Sequence, residues 1–156
     1  MHTLSPAFVC HLVTFRLTTP DGTSFVDLTD RLDHIVADAG IRVGLLNVSS
    51  AHTTTGIVVN EDEPLLLTDF DACFERLVPR HATYAHDDLA RRAGVGPDEP
   101  RNAHAHCRAL LLPSSAGLAV ANGRLLLGRW QRVFLVELDG PRERELSVVL
   151  LGEPVL

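Results

Sequence analysis

Apolar positions follow two different periods along the chain. Residues 8–17 (Phe-Val-Cys-His-Leu-Val-Thr-Phe-Arg-Leu) are rich in β-branched and aromatic side chains and partly alternate, which predicts a strand. Pro20-Asp21-Gly22 is a turn signal. After Asp27, a candidate N-cap, Leu28, Leu32, Ile35, Val36 and Ala39 fall at helical spacing, and Gly40 supplies the stop. Apolar runs at 41–48 and 54–60 predict two buried strands. Asp62-Glu63-Pro64 opens a second helix, because Pro is tolerated in the first turn and acids suit the positive helix end. Leu66, Phe70, Cys73, Phe74 and Leu77 form its apolar face, and Pro79 ends it. Residues 80–101 are polar and contain Gly94, Gly96, Pro97 and Pro100, predicting an irregular segment with a short helix near 86–92. Loops of this length in a compact domain often carry function. Strands are predicted at 106–112, 117–121, 124–128, 131–138 and 143–151, with Asn122-Gly123 as a hairpin turn and Asp139-Gly140-Pro141 as a second turn. The pattern as a whole predicts one α+β domain over residues 1–156, with antiparallel or mixed sheets built from hairpins and two main helices packed on one side.

Composition narrows the function. With 46% apolar and 22% charged residues the chain lies near globular averages, and 5% aromatics leave Leu, Val and Ala to fill the core. No apolar run approaches the ~18 residues of a membrane span, and Met1-His2-Thr3-Leu4-Ser5-Pro6 lacks the pattern of a signal peptide. A net charge of −6 argues against general nucleic-acid binding, which depends on neutralising phosphates. All 14 basic residues are Arg, so Schiff-base lysine chemistry is excluded, and an anion site must use Arg forks, backbone N–H groups or a metal. Cys10, Cys73 and Cys107 are widely spaced, which suits a reducing, cytoplasmic setting. No Gly-x-Ser-x-Gly, Walker A or Gly-x-Gly-x-x-Gly signature occurs.

Four of the eight histidines stand in informative contexts. His104-Ala-His106 places two imidazoles at i and i+2, which on a strand share one face and form half of a transition-metal site. His52 opens the polar run His52-Thr53-Thr54-Thr55-Gly56 between two apolar strands, at a strand edge or loop mouth. His86 precedes Asp87 and Asp88, carboxylates that could orient its ring, bind a hard cation or begin a helix. His2, His11, His34 and His81 read as surface or packing residues. In Asn60-Glu61-Asp62-Glu63 the last two acids suit a helix start, whereas Glu61 stays open as a general base or cation ligand. Arg101, Arg108 and Arg129 are candidate anion anchors, and Trp130 reads first as a packing residue. If residues 106–108 alternate, Cys107 faces away from the histidine pair, as neither nucleophile nor ligand.

Five motifs in register then resemble a known family: His52-Thr53-Thr54-Thr55-Gly56, Asn60-Glu61, Tyr84-x-His86-Asp87, Asn102-Ala-His104-Ala-His106, and Asn122-Gly123-Arg124-Leu-x-Leu-Gly128-x-Trp130-Gln131. From about residue 8 to 151 the chain is similar to the YjbQ-like family, also called the secondary thiamine-phosphate synthase family. The resemblance implies an α+β homotrimer whose motif residues gather in a pocket. It also implies a divalent metal at the histidines and a weak activity joining hydroxymethylpyrimidine diphosphate to thiazole phosphate. Residues 91–100 depart from the family pattern.

Two functional expectations follow. In the first, the chain is a metal-dependent enzyme acting on a small phosphorylated metabolite. His52, His86, His104 and His106 hold the metal, Zn²⁺ foremost because imidazole suits it, with Mg²⁺ as the alternative. Glu61, Asn102 and Arg129 are its candidate catalytic residues. In the second, the same pocket belongs to a trimeric protein that binds a small anion or metal without turnover.

Overall fold

The computed structural model describes residues 8–96 and 98–155. The expectations for the N-terminal hexapeptide and His2 lie outside these residues. Eight strands form two antiparallel sheets. A five-stranded sheet has the order β1 (Val9–Thr18), β8 (Glu143–Pro154), β3 (Ile41–Ser50), β5 (Ser115–Ala121), β6 (Arg124–Leu125). A three-stranded sheet has the order β2 (Gly22–Asp27), β7 (Arg132–Gly140), β4 (Thr55–Asn60).

The alternating strands of the large sheet turn Leu46, Val48, Leu118, Val120, Leu146, Val148 and Leu150 inward, against Ile57, Val133 and Leu135 of the small sheet. Helix α1 (Thr29–Asp38) adds Leu28 from its cap and Leu32 and Val36 to the same core. Successive β7 residues point to opposite faces, so Val136 and Leu138 leave this core and pack with Ala105, Phe74 and Leu112 on the far side of the small sheet. There lie α2 (Pro64–Leu77) and α3 (Ala103–Ala109). The fold is therefore α+β with antiparallel sheets as expected; of the two predicted helices, α2 lies with α3 on one side of the small sheet, whereas α1 contributes to the core between the sheets.

Local signals explain most boundaries. Glu63 caps α2, its carboxylate accepting the N–H groups of Leu65 and Leu66 at 3.0 and 2.8 Å. The Asp27 carboxylate accepts the Thr29 N–H at 2.8 Å, one position earlier than an ordinary cap. Asn122 and Gly123 take φ of 53° and 74°, as a two-residue hairpin requires, and close β5 onto β6. Gly44 lies opposite Gly152 because β3 and β8 approach closely there: a Cβ on Gly44 would stand 2.2 Å from the Leu151 carbonyl oxygen.

Four expectations are corrected. Between the turn expected at Pro20-Asp21-Gly22 and the cap expected at Asp27, where no element is predicted, Gly22–Asp27 forms β2, held to β7 by backbone pairing, with little apolar signal in Thr23 and Ser24. The strand at 124–128 shrinks to Arg124–Leu125. The short helix near 86–92 is two single 3-10 turns, Ala85–Asp87 and Leu89–Arg91. Most consequential, 106–112 is not a strand: Ala103–Ala109 is helix α3, and Pro113 follows it. Ala105, Arg108, Ala109 and Leu112 stand at i, i+3, i+4 and i+7, and it is this face that packs on β7 and α2.

Candidate functional site

A cavity of about 510 Å³ opens where β3 ends and the chain loops into β4, walled by Ser50, His52, Thr55, His106, Cys107 and Leu112. The loop is latched by its own hydroxyls. The His52 N–H reaches Ser50 Oγ at 3.4 Å, Ser50 Oγ shares a hydrogen with Thr55 Oγ1 at 2.6 Å, and Thr55 Oγ1 donates to the His52 carbonyl at 3.2 Å. The Glu145 N–H donates to His52 Nε2 at 2.9 Å. A backbone donor fixes the tautomer: Nε2 is the acceptor, and the neutral ring carries its proton on Nδ1.

Helix α3 supplies the opposite wall. On a helix, residues at i and i+2 point about 200° apart, so His104 and His106 do not share a face. His106 lines the cavity, whereas His104 is buried and does not. Consecutive helical residues are closer in azimuth, which is why Cys107, expected to point away, lines the cavity beside His106.

His86 joins His106 from the loop after α2; their ring centroids are 5.0 Å apart in an edge-on arrangement. The other polar groups of these two motifs act as scaffold. Tyr84 Oη donates to the Pro79 carbonyl at 2.7 Å, the Asp87 carboxylate accepts the Ala103 N–H at 3.0 Å at the start of α3, and Asn102 Nδ2 donates to Asp139 at 2.7 Å. Burial, and then the neighbouring His86, push the His106 pKa below its ordinary value. Burial, then Arg108 and Arg80, do the same for His104. For both rings the shift favours the neutral form, the one that offers a lone pair.

The remaining candidates lie elsewhere in the chain. Glu61 follows the far end of β4 from Thr55, six residues away, about 20 Å along an extended strand. Arg129 follows β6 and is not among the residues that line the cavity. Its guanidinium stacks on Trp130 at 4.7 Å, and Trp130, read as a packing residue, is exposed. Arg101 lines a separate depression with Tyr84, Asp87 and Asp88. Arg108 is not free to anchor an anion: it is buried and donates to Val78 O, Thr23 Oγ1 and Glu75.

Two imidazoles on one tetrahedral Zn²⁺, with Zn–N of about 2.0–2.1 Å, place their centroids about 5 Å apart, so the His86–His106 spacing suits a shared ion. His52 could join only by giving up its bond from Glu145. Among the described residues no group of three or more His, Cys, Asp or Glu is placed to hold a metal. The same spacing is that of ordinary edge-on ring packing, and the four-histidine centre expected from the sequence is not assembled, since His104 is buried and does not line the cavity.

Sequence reasoning missed the support of the His52 loop. Glu137 of β7 and Arg144 of β8 pair in the inter-sheet core, Arg144 Nε and Nη2 each 2.6 Å from a Glu137 oxygen, and Nη2 also donates to Thr54 Oγ1 at 2.9 Å. The available signal was a carboxylate in the apolar run Val133-Phe-Leu-Val-Glu137-Leu138, since a charge in such a run needs a partner.

The chain matches the model of the family described as UPF0047 protein YjbQ-like over residues 13–153. It is 38% identical to a UPF0047 protein of Methanothermobacter thermautotrophicus over 138 residues, covering 88% of this chain and 90% of that one. It is 39% identical to a UPF0047 protein of Archaeoglobus fulgidus over 135 residues, covering 86% and 97%. Among solved structures, a YbjQ-like protein from Sulfolobus solfataricus superposes with a TM-score of 0.83 at 34% identity, covering 94% of this chain and 100% of that one.

Proposed function

Because the chain belongs to the UPF0047 (YjbQ-like) family, we propose that its histidine cavity is the active site of a zinc-assisted enzyme acting on a small phosphorylated metabolite. The supporting observation is that His106, in contact with His86, faces the same cavity as His52. In this reading His86 and His106 hold the ion, and a bound Zn²⁺ supplies Lewis acidity toward a phosphate oxygen. Among its described residues the cavity wall carries no carboxylate, which favours an imidazole-bound ion over Mg²⁺ with its preference for oxygen ligands. His52, its Nε2 occupied by the Glu145 N–H, keeps Nδ1–H as its one donor for a ligand. The synthase-like joining of hydroxymethylpyrimidine diphosphate to thiazole phosphate is the first reaction to assay. Elemental analysis and zinc titration are expected to show one ion per chain, lost in His106→Ala together with any metal-dependent turnover. No uptake by the unaltered protein overturns the reading.

The missing wall carboxylate also supports a second reading, a binding protein without turnover. A ligand-induced thermal shift with no product across the same phosphorylated compounds would favour it.

The working form is proposed to be a homotrimer. The outer face of the large sheet leaves Leu12, Val149, Leu151, Leu45 and Val43 exposed. They lie side by side in register, with Leu12 opposite Val149 and Leu151 opposite Leu45. So large a contiguous apolar patch marks an interaction surface. Light scattering is expected to give the mass of three chains and Leu45→Glu to reduce it; a monomeric wild type at micromolar concentration would exclude the assembly. Among the described residues no helix is long and apolar enough to cross a membrane, and the free Cys10, Cys73 and Cys107 support a reducing, cytoplasmic setting.

A further inference from the structure

A second cavity, of about 190 Å³, lies beneath α2. Its floor is the far face of the small sheet, where Phe25 of β2, Val136 of β7 and Val58 of β4 meet. Its roof is α2, through Phe70, Cys73 and Phe74. These three stand at i, i+3 and i+4, on one face of the helix. Phe70 packs against Phe25 with ring centroids 5.7 Å apart, and Phe74 joins Val136 and Leu138. The side chain that stands with the two rings is a thiol, too small to fill the space they leave. Phe25, Val58, Phe70 and Phe74 therefore stay half-buried.

The two ends of the cavity differ. Alternation puts Gly56, Val58 and Asn60 on one face of β4. Leu112 closes the Gly56 end: a Cβ on Gly56 would stand 2.6 Å from Leu112 Cβ, so the missing side chain is what seats the leucine. Leu112 also lines the histidine cavity, and one side chain thus separates the two spaces. Asn60 stands at the other end, about 13 Å along the extended strand from Gly56. Its Oδ1 accepts the Glu61 N–H at 2.9 Å, which leaves the Nδ2 hydrogens to donate.

Interiors pack to leave few voids. An apolar void of about 150 Å³ stays dry and takes a guest the size of benzene. Here, among the described residues, no Asp, Glu, Arg or His lines the wall, so a charged guest finds no counter-charge. The wall offers aromatic rings along its length and one amide donor at its end. We propose that this cavity is a binding site for a neutral aromatic ring carrying a hydrogen-bond acceptor, the ring held between α2 and the small sheet and the acceptor on Asn60 Nδ2. The site is separate from the histidine cavity and needs no metal. Its occupant rests on Leu112, a wall residue of that cavity, and so bears on the shape of both.

The test is an NMR titration of the full chain with acetophenone and with ethylbenzene, which has nearly the same shape but no acceptor. Wild type is expected to bind acetophenone saturably and ethylbenzene about three- to tenfold more weakly, the worth of one hydrogen bond. The Leu112 methyls should shift, and those of Leu118 in the inter-sheet core should not. Cys73→Leu, which fills the gap, should raise Tm and weaken acetophenone binding at least tenfold. Cys73→Ala, which leaves the gap open, should bind within twofold of wild type. Asn60→Asp keeps the acceptor for the Glu61 N–H and removes the donor, so the advantage of acetophenone over ethylbenzene should vanish. Absence of saturable binding by wild type would mean a packing gap only and overturn the site. Wild-type affinity in Cys73→Leu, or shifts that leave the cavity wall untouched, would overturn it as well. If Cys73→Leu lowers the assembled mass in light scattering and leaves no ligand effect to explain, the face is a contact between copies and the ligand reading fails. The zinc titration is scored separately, because His86 and His106 take no part in this wall, and either reading can fall without the other.

Discussion

Arg144→Met is expected to destabilise the protein by about 3–5 kcal/mol in urea unfolding, the largest effect of any single replacement considered, because it strands a buried carboxylate. Glu137 is 0% exposed. It accepts both nitrogens of the Arg144 fork at 2.6 Å, the Thr19 hydroxyl at 2.9 Å, and the N–H groups of Leu138 and Asp139 at 3.0 and 2.8 Å. Burial alone would push its carboxyl up; the Arg144 fork, the Asp139 N–H and Thr19 outweigh it and hold the pKa below the usual range. The sign of the pH effect follows. A carboxyl whose folded pKa is depressed contributes its full stability above the unfolded value, about 4.3, and loses it as pH falls through the folded value. Wild-type stability should therefore decline on acidification below about pH 4, in part through Glu137. In Arg144→Met the uncompensated carboxyl titrates upward, and this component reverses sign. Replacing both partners, Glu137→Leu with Arg144→Met, should recover much of the loss, since no charge is then left buried. A single variant within 1 kcal/mol of wild type, or with an unchanged pH slope, would show that the pair does not carry this load.

The same pair links stability to the site. Arg144 donates to Thr54 in the latched loop, and the N–H of the next residue, Glu145, holds the His52 ring. Position 52 is thus set from the inter-sheet core outward, through groups whose own geometry is fixed by a bidentate ion pair.

What could be read from the chain and what could not divide along physical lines. Elements marked by local chemistry were legible: the Gly40 stop, the Glu63-Pro64 helix start, the Asn122-Gly123 hairpin, and strands whose alternation faces a core. Helix α3 was not. Its apolar residues are few and small, and Arg108 does the work of one by burying its stem, so Ala-His-Ala-His-Cys-Arg-Ala carried a helical face that hydropathy alone does not reveal. Nor was β2, a polar strand held mainly by its pairing with β7. The histidines could be singled out by motif, and His52 and His106 do share a cavity. Their partition could not be foreseen, because it depends on whether residues 104 and 106 sit on a strand or a helix. Glu61 and Arg129 were selected by the company they keep in sequence; β4 carries Glu61 away from the cavity, and Arg129 is not among the residues that line it.

Helix α2 has no fully buried residue, and that makes Arg108 the second position where one replacement should matter most. Arg108 is 1% exposed and fastens three elements: Nε donates to the Val78 carbonyl at the end of α2 at 3.0 Å, Nη1 to Thr23 Oγ1 on β2 at 3.1 Å, and Nη2 to Glu75 on α2. Helix α2 is also tied by Phe70 against Phe25, with centroids 5.7 Å apart, and by Phe74, which packs with Val136 and Leu138 beneath the Arg108 guanidinium. Arg108→Met should cost about 3 kcal/mol, from the lost charge-assisted bonds and the stranded Val78 carbonyl and Thr23 hydroxyl. The cost should stay below that of Arg144→Met for a specific reason. Glu75 and Asp71 are 44% and 53% exposed and keep their water when the cation is removed, whereas Glu137 has none to fall back on. Arg108→Lys, able to reach one partner but not three, should recover a minor part. The loss should be local: amide exchange in residues 64–78 should accelerate ahead of exchange in the large sheet, because α2 is released from α3 while the inter-sheet core is untouched. The turn carrying His86 begins at Tyr84, which is tied to Pro79 just beyond α2, so the His86–His106 contact should loosen and zinc uptake should weaken along with α2 protection. Unchanged exchange in α2, or a stability loss spread evenly over both sheets, would mean that α2 is held by something other than Arg108.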